Sequence, residues 1–484
     1  MIGQRKPVIS RVLIAWPRVL VALVAAAAAA LLPWQAVTMR NPELLLMLCA
    51  IALVIVVGLG NGTPETGLVL MIISAMAIRF ALPTGTQSNI PMSMVLSAMV
   101  ILWWLGNALV SRRRLSLPER GIALPSIGFI LAAILSYLWG NIFLDPVVRV
   151  WNTWPFVQLG ALAILVLLPL TFLMAAAQTE SVAWIKWIVG ILLGGGALAI
   201  LALLLNIQVL AFLQVRPLFP TWFICLALAL ALFHRGLPKA ARGSLLAFAG
   251  LWFYWVFVLR FRWVSAWLPS VAGGLIILGY RSKRMLLVAT AIFGVYVLLS
   301  LSTLKAGLSQ EWDTSTVTRM DAWVRNWQVT KNHLLFGVGP AGYAAYYMTS
   351  FPDHAMATHN NYLAILSQMG IVGLGFLLWF LGSLGWLMLR LVRACRGSKD
   401  FTEAFSLAAL AGFAGVILAM GLGDWIIPFV YTQTIGGFDY AVYTWILLGA
   451  AVALYQIKIQ KMIRSKELLQ SHRALTHEAE GGEG

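Results

Sequence analysis

Residues 155–176 read PFVQLGALAILVLLPLTFLMAA, 22 residues without a charge. At 1.5 Å per residue, a helix of that length covers about 33 Å, enough to cross a hydrocarbon core of about 30 Å. Comparable runs lie on both sides, near 19–36, 43–60, 66–82, 92–110, 122–143, 183–205, 217–233, 244–259, 263–279, 285–302, 362–389, 403–423 and 440–456. The pattern predicts an all-α, polytopic membrane protein of about 12–14 transmembrane helices. The run at 362–389 is overlong and is expected to begin outside the membrane. The short runs at 244–259 and 263–279 flank Arg260-Phe261-Arg262 and read as a tight helical hairpin.

Composition agrees. Hydrophobic residues make up 61% of the 484 and charged residues 11%, against about a quarter charged in soluble domains. Mean hydropathy is +0.87. No small-residue cleavage site follows the first apolar run, so that span reads as retained. The net charge of +17 does not signal nucleic-acid binding, because the bases sit in short clusters between apolar runs, as positive-inside topology signals do. Cys49, Cys225 and Cys395 have neither disulfide nor zinc spacing.

With the N-terminus in the cytoplasm and strict alternation, the clusters Arg112-Arg113-Arg114, Arg235 to Arg242, Arg281 to Arg284, Arg390 to Lys399 and Lys458 to Lys466 all fall inside. The reading is a multi-pass protein of a bacterial inner membrane, with both termini cytoplasmic. The chain then divides into spans over 1–302, a large extracytoplasmic loop over 303–361, further spans over 362–456 and a cytoplasmic tail over 457–484. The tail beyond Arg473 reads as disordered. Within the loop, Thr318 to Lys331 has a rough apolar face in Met320, Trp323, Trp327 and Val329, and predicts a surface helix that glycine and proline then end.

Ten Lys and Arg fall on the outer side, where positive charge is disfavoured: Arg40, Arg79, Arg149, Arg216, Arg260, Arg262, Lys305, Arg319, Arg325 and Lys331. Arg216 and Arg262 open spans, and Arg79 lies about a turn inside one. An arginine fork at a membrane edge suits a phosphate or diphosphate bidentately. The other reading is snorkelling to lipid headgroups. Histidines 333, 354 and 359 lie in the loop, and His359-Asn360-Asn361 stands where the chain re-enters the membrane. A neutral imidazole there can take a proton from a sugar hydroxyl, and a capping or core histidine is the alternative. The outer acids do not cluster as metal ligands, so no metal is expected. Arginine would supply the electrostatic clamp instead.

The stretch Leu334-Leu335-Phe336-Gly337-Val338-Gly339-Pro340, then His359-Asn360-Asn361-Tyr362-Leu363, then Gly370-Ile371-Val372-Gly373-Leu374 resembles the signature of the O-antigen ligase and O-antigen polymerase superfamily. The signature region covers about 309–390. Arg319 and Trp323 look like the family's Arg and Trp upstream of the glycine motif. The resemblance implies a membrane glycosyltransferase of GT-C type, metal-independent, inverting and without a cofactor. Its donor would be a glycan on undecaprenyl diphosphate. Its acceptor would be a sugar hydroxyl, on lipid A-core for a ligase or on another lipid-linked repeat for a polymerase. It implies His359 as the catalytic residue and Arg216 and Arg262 as the diphosphate grip. Arg79, Arg319, Arg325 and Asn360 would support them, with Gly337, Gly339, Gly370 and Gly373 as structural motif positions. A flippase for the same lipid-linked sugar is the reading from another class. It calls for two related halves and mid-membrane polar sites, and the sequence has no such halves by eye.

Overall fold

A computed structural model describes residues 64–78, 81–83, 89–110, 116–210, 213, 216, 218–261, 263–302, 317–350 and 358–481. Within them the chain is all-α apart from one small hairpin. The helices are α1 (Pro64–Ala77), α2 (Met92–Val110), α3 (Arg120–Ile142), α4 (Trp154–Gln178), α5 (Val182–Leu205), α6 (Leu218–Phe233) and α7 (Lys239–Phe253). They continue with α8 (Val264–Arg281), α9 (Lys283–Leu299), α10 (Val317–Thr330), α11 (Gly342–Ser350), α12 (Asn361–Cys395), α13 (Phe401–Leu422) and α14 (Phe438–Gly481). Strands β1 (Ala81–Pro83) and β2 (Asn89–Pro91) pair antiparallel, with Leu82 opposite Ile90.

Among the described residues, eight helices are long and apolar enough to cross a membrane. α1 and α6 are apolar but shorter. The apolar runs from 92 onward each carry a helix. The predicted runs at 19–36 and 43–60 lie outside the described residues. Two expectations need correction. The run at 66–82 is helical only to Ala77, and residues 81–83 form β1 instead. The tail expected to be disordered beyond Arg473 continues α14 to Gly481. Its Ala, Leu and Glu residues are good helix formers, and no Pro or Gly interrupts them before Gly481.

The core is built around α14, which packs on α4, and around α13, which packs on α6 and α8. Small residues let these helices approach closely, as membrane bundles require. A Cβ at Gly449 would stand 2.7 Å from the Phe172 carbonyl oxygen. Some buried polar side chains are paired across helices. Trp222 Nε1 donates to Thr444 Oγ1 at 3.0 Å, and the Thr221 and Ser270 hydroxyls are 2.9 Å apart. By contrast, α9 has no buried residue, and its Leu287, Val288, Ile292, Val295 and Leu298 are exposed. An apolar surface of that kind suits lipid rather than water.

α12 holds the key to the site. Its backbone leaves helical geometry at Gly370 (φ 65°, ψ −166°), which divides it into a short outer piece and a long one. The break frees carbonyls and amides, and the glycine loop bonds to them. Val338 N donates to Ser367 O and Gly339 N to Gln368 O, both at 3.0 Å. In return Ile371 N donates to Leu334 O at 2.8 Å. The Gln368 side chain accepts from Ala341 N at 2.9 Å. The groups freed by the break are thus satisfied by the loop itself.

Candidate active site

α12 is capped at its N-terminus by Asn360, whose side chain accepts from the amides of Tyr362 (2.9 Å) and Leu363 (3.2 Å). This N-cap satisfies two donors that a helix start leaves open. Asn360 Nδ2 also donates to Gly421 O at 3.3 Å, tying the cap to the end of α13. Asn361 reaches the following segment, with its Nδ2 donating to Ile427 O at 2.7 Å. His359, just before the cap, has φ 46°. A left-handed backbone is uncommon for a residue with a side chain and marks strain worth explaining. Its neighbours hold it there. Trp323 Nε1 in α10 donates to Thr358 O at 2.7 Å, and Thr358 Oγ1 donates to Asn360 O at 3.1 Å.

The strained turn aims the His359 imidazole at Asp424. His359 Nδ1 lies 3.6 Å from Asp424 Oδ1. The Asp424 side chain is 2% exposed and that of His359 29%. Asp424 Oδ2 accepts from the Thr432 hydroxyl. Its Oδ1 is buried and has no hydrogen-bond partner among the described residues. A carboxylate facing Nδ1 favours the tautomer with a proton there, which leaves Nε2 as a free base.

Segment 423–437, between α13 and α14, meets residues from distant parts of the chain. Besides Asp424, it carries Trp425, whose ring centroid is 6.0 Å from that of Trp263. It also carries Tyr431, 6.1 Å from Trp151. At the start of α14, Arg216 lies over the Tyr440 ring at 4.6 Å. Trp425 Nε1 and the Tyr431 hydroxyl are buried and lack hydrogen-bond partners among the described residues. Native structures leave few such atoms. Three of them within eight residues, counting Asp424 Oδ1, are suited to a polar ligand or to water.

The large loop supports this arrangement. In α10, Arg325 bonds to Asp321 Oδ2 and to the Tyr347 hydroxyl, both at 3.2 Å. From α11, the Tyr346 hydroxyl accepts from Asp145 N at 3.2 Å. His333, which caps no helix, stacks edge-on with Tyr346 at 5.1 Å. Burial pushes its pKa down, against a smaller upward pull from Asp145. The motif glycines are needed by shape. A Cβ at Gly337 (φ 69°) would fall 2.4 Å from Gln368 C, and one at Gly370 2.3 Å from Leu335 O. Gly339 (φ 86°) is in the same left-handed region. A Cβ at Gly373 would meet the Met369 side chain at 2.2 Å.

Of the residues singled out from the sequence, His359 meets segment 423–437 at Asp424, Asn360 reaches Gly421 just before it, and Arg216 lies over Tyr440 just after it. Arg79, Arg262 and His354 lie outside the described residues. Arg262 is flanked by Phe261, whose carbonyl accepts from Trp267 Nε1 at 2.8 Å, and by Trp263 against Trp425. Of Arg319, only its position in α10 is described. Among the described residues no group of three or more His, Cys, Asp or Glu stands ready for a metal. Sequence reasoning missed Asp424. Its signal was a single carboxylate in Gly423-Asp424-Trp425, at the apolar end of a span.

Residues 223–380 match the family model described as O-antigen ligase. This segment belongs to the O-antigen ligase/polymerase superfamily. The match runs from within α6 through α11, the glycine loop and His359 into α12. Arg216 and Asp424 lie outside it and join the site through the fold alone. No curated protein matches the chain.

Proposed function

We propose that the protein transfers a glycan from an undecaprenyl-diphosphate-linked donor to a saccharide hydroxyl at the outer face of a bacterial inner membrane. The observation that carries this reading is the His359–Asp424 pair, whose histidine falls within a segment that matches the O-antigen ligase family. His359 Nε2 takes the acceptor hydroxyl proton while Asp424 steadies the imidazole. The hydroxyl oxygen attacks the anomeric carbon from the face opposite the diphosphate. The carbon–oxygen bond to the diphosphate breaks, and its electron pair leaves with undecaprenyl diphosphate, so the configuration inverts. Arg216 and Arg262 balance the leaving group's charge. Trp425 Nε1 and the Tyr431 hydroxyl offer hydrogen bonds to sugar. The proton on His359 then passes to water.

The energy comes from the donor linkage, and no step uses a metal. Both ligase and polymerase chemistry fit this scheme. A flippase is less well supported, because these polar groups gather at one end of the bundle rather than at its middle.

The test is transfer from a purified lipid-linked glycan, with and without EDTA. His359→Ala should lower the rate by on the order of 10²–10⁴-fold, the usual worth of a general base. Full activity in that variant would remove the base from the mechanism. EDTA should leave the rate unchanged. Product analysis separates a single block moved to a foreign acceptor from a ladder of lengthening repeats.

A further inference from the structure

An apolar cavity of about 490 Å³ opens between α5, α6 and α7, and none of its lining residues belongs to the candidate active site. Its floor is α6, where Phe223 and Leu230 are buried. One wall is α5 from Lys186 to Ala197, and the other is the first part of α7, from Ala241 to Phe248. α5 and α7 both pack on α6 and also touch each other, so the trough between them is narrow. At 1.5 Å per residue the α5 wall is about 16 Å long. That is about half of a hydrocarbon core of about 30 Å, the depth of one leaflet. Gly190, Gly194 and Ala197 line the trough at helical spacing, and a Cβ on either glycine meets nothing within 4 Å. The wall is thus left smooth where side chains would have fitted.

One end of the trough is basic. Lys186 lines it and is exposed, with its ammonium 5.7 Å from the centre of the Phe401 ring at the start of α13. Among the described residues no carboxylate pairs with Lys186. His234 lines the same end, and its Nδ1 is buried without a hydrogen-bond partner among the described residues. Burial and the nearby Lys186 ammonium push the His234 pKa down, against an upward pull from Asp400. Asp400 is itself engaged by the hydroxyls and amides of its own cap. Arg235 and Lys239 are exposed in the turn before α7 and at its first residue. Arg242 holds the last turn of α6, its Nε donating to Ala231 O at 2.6 Å. The distribution of bases along the chain makes this the cytoplasmic end. An apolar trough one leaflet deep, with cations at its mouth, is complementary to an acyl chain below an anionic headgroup.

We infer that the α5–α7 trough binds an anionic glycerophospholipid of the cytoplasmic leaflet, with one acyl chain along the glycine-lined wall and the phosphate at Lys186 and the basic turn 234–242. The site stands apart from the donor site proposed above and does not rest on it. A helix from a second copy suits this face less well. Gly190-Ile191-Leu192-Leu193-Gly194 has the G-x-x-x-G spacing that serves close helix crossings. A symmetric crossing there would bring two Lys186 ammoniums together one turn away, in a medium that screens them poorly. A helix about 10 Å across also needs a broader trough. A lipid seated here touches α5, α6 and α7 at once, and so stabilises the folded bundle.

The experiment uses the full chain in detergent with two probes, phosphatidylglycerol and phosphatidylcholine carrying the same photoreactive diazirine acyl chain. Phosphatidylglycerol should crosslink within 189–197 and 241–248, and phosphatidylcholine should label those residues several-fold less. Equal labelling by both, or labelling confined to other helices, overturns the assignment. Excess inorganic phosphate should not displace the lipid, and displacement would make this a site for a free anion instead. Lys186→Gln should weaken phosphatidylglycerol labelling by about fivefold, the worth of one basic residue at a membrane surface, with phosphatidylcholine labelling unchanged. Lys283→Gln, an exposed basic residue off the lining, should change neither. Equal loss in both lysine variants reduces the preference to general surface charge and defeats the site. Gly194→Leu fills the trough and should abolish both the labelling there and the rise in Tm that phosphatidylglycerol gives the wild type. Gly243→Leu, exposed, off the lining and with open space at its Cβ, should keep both. A wild-type dimer that Gly194→Leu converts to a monomer, measured by light scattering, would assign the face to a second copy and overturn the lipid.

Discussion

At the scale of single residues, the site depends on a histidine held in a conformation that most residues avoid. The left-handed turn at His359 is fixed from three directions: the indole of Trp323, the Thr358 hydroxyl and the Asn360 cap. Asp424 faces its Nδ1. Replacing it with Asn keeps the shape and removes the charge. Asp424→Asn is expected to lower kcat by about tenfold or more with the donor KM unchanged, since the imidazole loses its orientation and its charge partner. A rise in KM at constant kcat in steady-state assays would assign Asp424 to binding instead. His359 was legible in the sequence because its neighbours form a motif. Asp424 was not, because 65 positions separate it from His359 and only the return of α13 to the same end of the bundle joins them.

Among the elements, α12 and α13 show two ways of meeting the needs of helix ends. α12 breaks at Gly370 and gives its open carbonyls to the glycine loop. A methyl group at Gly370 would meet Leu334 and Leu335 carbonyls and would also strain a positive φ. Gly370→Ala is expected to cost about 2 kcal/mol or more, measured as a lowered Tm in detergent, with transfer falling as His359 moves. An unchanged Tm would mean that the loop can slide off the helix without penalty. The expected loop helix at Thr318 to Lys331 is observed as Val317–Thr330, since its apolar face repeats at helical spacing. The break was hidden, because Gly370 in an apolar run also reads as a packing glycine.

α13 begins with an ordinary cap on the opposite face. Asp400 accepts from Thr402 N at 2.9 Å and Glu403 N at 3.3 Å, and from the Ser398 and Thr402 hydroxyls. Burial pushes its carboxyl up, but these hydrogen bonds more than offset it and bring the pKa down to about 2 from an ordinary 3.8. A depressed carboxylate stabilises the fold above its unfolded pKa, and the benefit fades as pH falls from about 4 towards 2. Asp400→Ala should therefore lower Tm at pH 6, by a cap worth about 1 kcal/mol. Thermal scans should find the gap to wild type narrowing near pH 2.5. A gap independent of pH would assign the effect to packing.

For the molecule as a whole, the positive clusters make a definite topological statement. In a cysteine-free background, Cys at exposed Asn332 should react with a membrane-impermeant maleimide in intact cells, and Cys at exposed Ser398 only after permeabilisation. The native Cys225 and Cys395 are buried, so their removal serves mainly to clear the background. The reverse pattern of labelling would invert the bundle and move the site to the cytoplasm.

The sequence by itself determined the solvent, the helices and the loop with His359. Those follow from local properties: how many apolar residues run together, where the bases lie, and which short motif borders a span. Only the tertiary structure decided what meets His359. Segment 423–437 carries no motif, and its value comes from where α13 and α14 bring it, beside a histidine turn, a tryptophan-flanked arginine turn and the Arg216–Tyr440 pair.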